Sequence, residues 1–169
     1  LTKGRQMIEL MNAIGVDAAG LGNHEFDFGN DILKQRMSAS KFTWLASNTQ
    51  GADGKPFGGA QAMMIRQVGA FKIGMFSLLT PETTHLSSPG KTVSFSDPVT
   101  AARTAVKSLT DQGADLIIAI THLDIAQDRK LAADVKGINV ILGGHDHDPI
   151  LFYEGGTLIM KAGYDAHYL

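Results

Sequence analysis

The sequence contains no cysteine among its 169 residues. Disulfide bonds and cysteine-ligated zinc sites are therefore excluded, although this absence does not fix a cellular compartment. No apolar run approaches the ~20 residues that a membrane-spanning helix needs. There is also no basic run interleaved with aromatic residues, and the formal net charge is −2. Nothing in this composition indicates binding to a nucleic-acid polymer.

The composition that remains is typical of a folded domain. Apolar residues make up 44% of the chain and charged residues 19%. We expect residues 1–169 to form a single domain with a sizeable core. The chain opens without an initiator methionine and stops just after an apolar run, so we expect it to be a piece of a longer protein, cut at both ends.

Strand-like and helix-like segments alternate along the chain, and this alternation predicts a layered α/β domain. Polar or glycine-rich segments at residues 51–60 and 80–91 predict loops. Helices are predicted at residues 4–14, from Asn30, from Asp97 and at 125–135. Strands are predicted at residues 16–21, 42–46, 62–68, 71–79, 116–120, 138–142, 150–153 and 157–161.

Three strand-like runs each end in a polar motif that contains histidine. Residues 22–27 read Gly-Asn-His-Glu-Phe-Asp, residues 121–122 read Thr-His, and residues 143–148 read Gly-Gly-His-Asp-His-Asp. In open α/β sheets, sites form at the carboxyl ends of strands, and glycines let the chain turn tightly there. We therefore expect four side chains to cluster at one edge of a sheet: Asn23, His122, His145 and His147.

These residue types suit a metal, but each also has a structural interpretation. Imidazole binds Zn, Fe and Ni well. Taken alone, however, Asn23 suits a left-handed turn, Asp27 suits a helix cap, and a single histidine such as His122 is more often structural. Three such motifs at equivalent strand ends make a purely structural explanation of the whole set unfavourable. Asp146 and Asp148 are expected to be turn residues or to contact ligands, rather than to be ligands themselves.

His24 directly follows Asn23 and is placed to act on a substrate rather than to bind metal. Asp27 lies three residues later, where its carboxylate can accept a hydrogen bond from the His24 ring and fix the tautomer. We predict this hydrogen bond.

In this order and spacing, the three motifs resemble the calcineurin-like metallophosphoesterase superfamily. The longer string Gly-Asn-His-Glu-Phe-Asp-Phe-Gly at residues 22–29 resembles its 5′-nucleotidase branch, which includes UDP-sugar hydrolases and 2′,3′-cyclic-nucleotide phosphodiesterases. Residues 45–48, Leu-Ala-Ser-Asn, are similar to a strand of the same branch. The resemblance covers essentially the whole chain, and it implies a four-layer α/β/β/α sandwich.

The resemblance also implies a reaction and the roles of the residues. A hydroxide held by two divalent ions, drawn from Zn, Mn, Fe, Mg or Co, would attack the phosphorus of a nucleotide or related phosphate ester. His24 would be the catalytic histidine, with Asp27 as its partner. A periplasmic or extracellular location is suggested. The implied metal ligands are Asn23, His122 and His145 for one ion and His147 for the other.

The chain departs from the family pattern at its start. The family begins with an Asp-x-His motif and then a Gly-Asp motif whose aspartate bridges the two metals, and neither motif precedes Asn23. Glu9 in the first helix and Asp17 at the start of a strand do not replace them. We therefore expect an incomplete sandwich, inactive by itself, that associates through an exposed sheet edge.

Two other functions compete with a nucleotide phosphohydrolase. One is a non-catalytic binding module that keeps the fold but not the metals. The other is a related thiosulfohydrolase that acts on sulfur esters. The residues quoted above do not separate these alternatives.

Overall fold

A computed structural model describes residues 2–164 of the chain. None of the helices in that range is long and apolar enough to cross a bilayer. The helices are α1 (Arg5–Ile14), α2 (Asn30–Ala39), α3 (Thr83–Leu86), α4 (Pro98–Asp111) and α5 (Ile125–Asp134). The strands are β1 (Ala18–Gly20), β2 (Thr43–Leu45), β3 (Thr49–Gln50), β4 (Met63–Val68), β5 (Phe71–Leu79), β6 (Ser94–Phe95), β7 (Leu116–His122), β8 (Val140–Gly143), β9 (Ile150–Glu154) and β10 (Thr157–Lys161).

The largest sheet has six strands in the order β4-β5-β7-β8-β10-β9. Its four central strands run parallel, and β4 and β9 pair antiparallel at the two edges. The apolar runs predicted as buried strands become β7 and β8, and the predicted closing hairpin becomes β9 and β10. Strand β7 extends two residues further than predicted, so Thr121 and His122 belong to the strand itself.

Helices α4 and α5 cover one face of this sheet. Burial alternates along β7, and buried residues such as Ala119 and Leu109 join the core that forms between the sheet and the helices. The predicted start of α4 is confirmed, because the Asp97 carboxylate accepts a hydrogen bond from the Thr100 amide at 2.7 Å and Pro98 occupies the first turn.

Strands β1 and β2 form a second, parallel sheet that packs on the opposite face of the large one. Gly20 of β1 lies directly against Ser77 of β5 and Ile120 of β7. Beyond this small sheet lie α1 and α2, whose buried residues Ile8 and Leu33 join a second core. The layers therefore run helix, sheet, sheet, helix, which confirms the predicted four-layer α/β/β/α sandwich.

Further details differ from the sequence-based expectation, and one is that helix α3 lies within residues 80–91, which were predicted as a loop. The motif at residues 22–27 follows a strand of the small sheet, whereas His122 ends one strand of the large sheet and His145 follows another. The motifs therefore meet across the ends of two facing sheets rather than at one sheet edge. In addition, Gly29 at φ +79° precedes α2 as its cap, and the Asn30 side chain instead donates a hydrogen bond to the Pro89 carbonyl at 2.8 Å.

The small sheet leaves part of the large one uncovered. Leu142, Met160 and Leu151 are aligned across β8, β10 and β9 on the face that β1 packs against. These residues are 42%, 43% and 69% exposed, respectively. Such a row on an edge of a sheet favours association, and association of this chain stays a prediction.

We predict that Gly20→Ala separates the two sheets and destabilises the fold. An added Cβ would overlap the Ser77 hydroxyl and lie 3.2 Å from Cγ2 of Ile120, and overpacking of this kind costs about 1–3 kcal/mol. The free energy of unfolding in urea measures the effect. Ser77→Ala in the same chain should recover part of the loss.

Gly51→Ala is the matched control, since an added Cβ there meets only Asp53 Oδ1 at 3.4 Å. Its unfolding free energy should stay within about 0.5 kcal/mol of the parent. Equal stability of the Gly20→Ala and Gly51→Ala variants would show that the sheets are not in close contact.

Candidate metal and catalytic site

The first motif is a tight turn held from below by an aromatic side chain. After β1 the chain forms one turn of 3₁₀ helix, Asn23–Phe26, and the Gly22 amide donates to Glu25 Oε2 at 2.6 Å. The Phe26 ring is fully buried, with its centroid 5.3 Å from that of Phe57. This packing fixes the turn, so that Asn23 lies buried beneath the surface and His24 lies on it.

Asn23 meets a strand end that is 99 residues away in sequence. Its Oδ1 atom lies 2.8 Å from Nε2 of His122. The approach requires glycine before Asn23, because a Cβ at Gly22 would lie 2.9 Å from two ring atoms of His122. The expectation that this turn needs glycine for backbone freedom is wrong, because the Gly22 backbone is extended at φ −107°, a conformation open to any residue. The room beside the imidazole is what requires glycine here.

Burial lowers the pKa of His122 from its ordinary 6.5 to about 4, and the nearby His145, His24 and Lys161 act electrostatically in the same direction. The ring is therefore neutral at physiological pH. Neutral imidazole is the form that binds metal ions.

The loop after β8 brings the third motif to the same place. The ring centroids of His145 and His122 are 5.0 Å apart, and a Cβ at Gly144 would lie 3.4 Å from Nδ1 of His122. His147 lies two residues further along the same loop, with its ring centroid 6.1 Å from that of Tyr164. The structure thus groups Asn23, His122 and His145, and His147 follows in the same loop.

Both loop histidines have unusual backbone conformations. His145 has φ +80° and His147 has φ +63°, a region that residues other than glycine rarely adopt. Each such residue costs on the order of 1–3 kcal/mol and persists where the surroundings impose it, commonly at functional sites.

The predicted hydrogen bond between His24 and Asp27 is present, with Nδ1 and Oδ2 2.8 Å apart. The other oxygen of Asp27 accepts from the Ser87 hydroxyl at 2.7 Å. Partial burial raises the pKa of Asp27, but the hydrogen bonds from Ser87 and His24 outweigh it and hold the pKa below its usual range. The carboxylate is ionised at neutral pH and favours the proton on Nδ1 of His24.

Two residues that support the site were not predicted from the sequence. Ser87 lies in the loop predicted at residues 80–91, 60 residues from Asp27, and nothing near it signals that contact. Lys161 ends β10, and its buried ammonium contacts Asp146 beneath the histidine loop. A single lysine at the end of an apolar strand was the only signal that the sequence offered.

The residues present fit one cation and do not fit a dinuclear centre. The amide oxygen of Asn23 and the neutral ring of His122 already converge, and His145 adjoins them. Within residues 2–164, however, no three histidine or carboxylate side chains are grouped as metal ligands are. The carboxylates of Asp27 and Asp146 are engaged with other groups, so neither is available to bridge two ions.

Comparison with known proteins places the chain in a family, although no family model matches it. The snake venom 5′-nucleotidase of Gloydius brevicauda is 36% identical over 147 residues, which are 85% of this chain and 25% of that protein. The crystal structure of a 5′-nucleotidase precursor from Thermus thermophilus superposes with a TM-score of 0.85 at 28% identity, covering 95% of this chain and 35% of the other. The chain belongs to the 5′-nucleotidase family.

The fold is shared with a protein of a different activity, which bears on the competing functions. The sulfate thiohydrolase SoxB of Thermus thermophilus has the same fold, with a TM-score of 0.85 at 24% identity over 96% of this chain and 30% of the other. The fold therefore does not separate phosphate esters from sulfur esters as substrates.

The chain spans about a quarter of the length of the curated 5′-nucleotidase relatives it matches.

We predict that the His122 ring titrates near pH 4 in the metal-free chain, because burial and nearby positive charges oppose its protonation. Unfolding releases the ring to its ordinary pKa of about 6.5. The unfolded state therefore binds the extra proton between these values, and stability falls as the pH drops from about 6.5 to about 4.

Ring-carbon NMR shifts recorded against pH measure the titration, and His122→Gln assigns the signal. A His122 midpoint close to pH 6.5 would contradict the burial and the contacts described above.

Proposed function

We propose that this chain supplies part of the active site of a metal-dependent phosphohydrolase that acts on nucleotides or related phosphate esters. One observation carries the proposal: a single turn presents two adjacent side chains to different partners. Asn23 faces His122 below the surface, and His24 faces Asp27 on the surface. The proposal is supported by this arrangement, in which the proposed cation ligands adjoin the proposed proton-carrying group.

The cation site consists of Asn23, His122 and His145, with His147 next along the loop. Its ligands are neutral, so the positive charge of a divalent ion is not offset there. When bound, such an ion supplies Lewis-acid polarisation of a phosphoryl oxygen and lowers the pKa of a coordinated water. Asn23 and His122 hold their donor atoms together before any ion arrives, which reduces the ordering that binding requires.

His24 is the group that acts on the substrate. Its side chain is 66% exposed, so a phosphate ester can reach the ring. Because Asp27 holds Nδ1, the other nitrogen, Nε2, is directed away from that carboxylate. When it carries a proton, Nε2 donates to the negative charge that develops on a phosphoryl or leaving-group oxygen. Asp27 orients the ring, and Ser87 holds Asp27 in place.

A phosphate ester is favoured over a sulfur ester because the sequence relatives that support the family are 5′-nucleotidases. The substrate class follows from that relationship and not from the fold. A non-catalytic module is disfavoured by the His24–Asp27 pair, since an exposed histidine whose tautomer is fixed has no evident packing role.

We predict that His24→Ala lowers kcat about 10²–10⁴-fold in the natural protein that carries this sequence, with metal content unchanged. The residue is assigned to the substrate and not to the cation. Release of phosphate from AMP in Mn²⁺ or Zn²⁺ measures kcat, and elemental analysis measures the bound metal.

His85→Ala is the matched control, because His85 is an exposed histidine on the neighbouring helix α3. It should leave both quantities unchanged. A His24→Ala variant that loses metal but is fully active once metal is restored would overturn the role given to His24. Release of sulfate from an S-sulfonated thiol, with no release of phosphate from AMP, would favour the thiohydrolase alternative.

A further inference from the structure

A buried ammonium group lies beneath the loop that carries His145 and His147. The side chain of Lys161 is fully buried, and its Nζ atom lies 2.8 Å from Oδ2 of Asp128 and 2.5 Å from the Leu123 carbonyl oxygen. A third contact joins it to the Asp146 carboxylate. Helix α5, the end of β7 and the histidine loop therefore meet at one charged atom.

Asp146 is the link between this ammonium and the histidines. Its Oδ1 atom accepts a hydrogen bond from the Ile125 amide at 3.1 Å, and its other oxygen contacts Lys161. The residues on either side, His145 and His147, are the two with positive φ. A short loop with two strained residues needs an external anchor to keep that conformation, and Asp146 lies at its centre.

The strand below the loop is also shaped around this contact. A Cβ at Gly143 would lie 3.0 Å from Asp128 Oδ2 and 3.1 Å from Cε of Lys161. Glycine at this position therefore lets the lysine pass under the strand end and reach Asp146. This close approach, and not a positive φ, is what requires glycine at position 143.

We propose that Lys161 is a positioning residue for His145 and His147. Its ammonium, acting through Asp146, fixes the loop conformation that turns the two histidines toward the cation site. The proposal rests on the proposed function only in assigning a cation to these histidines. Lys161 itself touches neither the cation nor the substrate.

The direction in which cation affinity changes when Lys161 is replaced distinguishes a positioning role from a purely electrostatic one. An ammonium near a cation site repels the cation, so removing its charge through space alone strengthens cation binding. Loss of positioning weakens binding instead. We therefore expect Lys161→Met to weaken Zn²⁺ binding about 10–100-fold, the range seen when groups that orient metal ligands are removed. Lys161→Arg keeps the charge and should restore part of the affinity.

The first measurement is Zn²⁺ affinity, by competition with a chelating dye. Because Lys161→Met leaves Asp128 and Asp146 without their partner, the double variant Lys161→Met/Asp128→Asn is measured beside it. Asp128→Asn alone keeps the contact between Lys161 and Asp146 and should leave the affinity unchanged. Arg129 lies next to Asp128 in α5 and forms an exposed ion pair with Glu154 of β9. Arg129→Met removes that ion pair and therefore controls for general loosening of α5.

The second measurement needs no metal. Ring NMR signals of His145 and His147 should shift or broaden in the double variant, while those of His85 stay in place. If the parent chain fails to bind Zn²⁺, the proposed cation site is wrong, and the ring signals still decide the role of Lys161. Unchanged ring signals together with equal or tighter Zn²⁺ binding in the double variant would overturn the proposal.

Discussion

The contact between the Asn23 amide and the His122 ring is the interaction on which the rest of the site depends. It joins the ends of β1 and β7, two strands of different sheets, across 2.8 Å. The surrounding structure fixes both residues. Buried Phe26 fixes the turn that carries Asn23, and His122 belongs to a central strand of the six-stranded sheet. The fold itself therefore brings the amide oxygen of Asn23 and the neutral ring of His122 together.

Two kinds of support surround this contact, and they differ in physical character. His24 is oriented at the surface by hydrogen bonds, from its ring to Asp27 and from Ser87 to Asp27. The histidine loop is held from inside by a buried charge, with Lys161 between Asp128 and Asp146. Buried ion pairs often contribute little net stability, yet removing one partner is costly. Such a network suits a loop whose backbone is strained and must keep a single conformation.

The sequence predicted the layered fold and the motifs well because both depend on local patterns. Apolar runs identified β7 and β8, Asp97 and Pro98 identified the start of α4, and the spacing of His24 and Asp27 predicted their hydrogen bond. It did not predict that β1 belongs to a separate sheet, since a three-residue strand carries no signal of its partner. Ser87 and Lys161 were missed for the same reason, because their contacts join segments that are distant in the chain.

Ring-nitrogen NMR of this chain during a Zn²⁺ titration tests most directly whether Asn23, His122 and His145 form a cation site. Coordination should move the ring-nitrogen signals of His122 and His145, while those of His24 and His85 remain close to their metal-free positions. Asn23→Ala should weaken the change at His122. Zn²⁺ binding that moves His24 or His85 and leaves the His122 ring as it is in the metal-free chain would contradict the account.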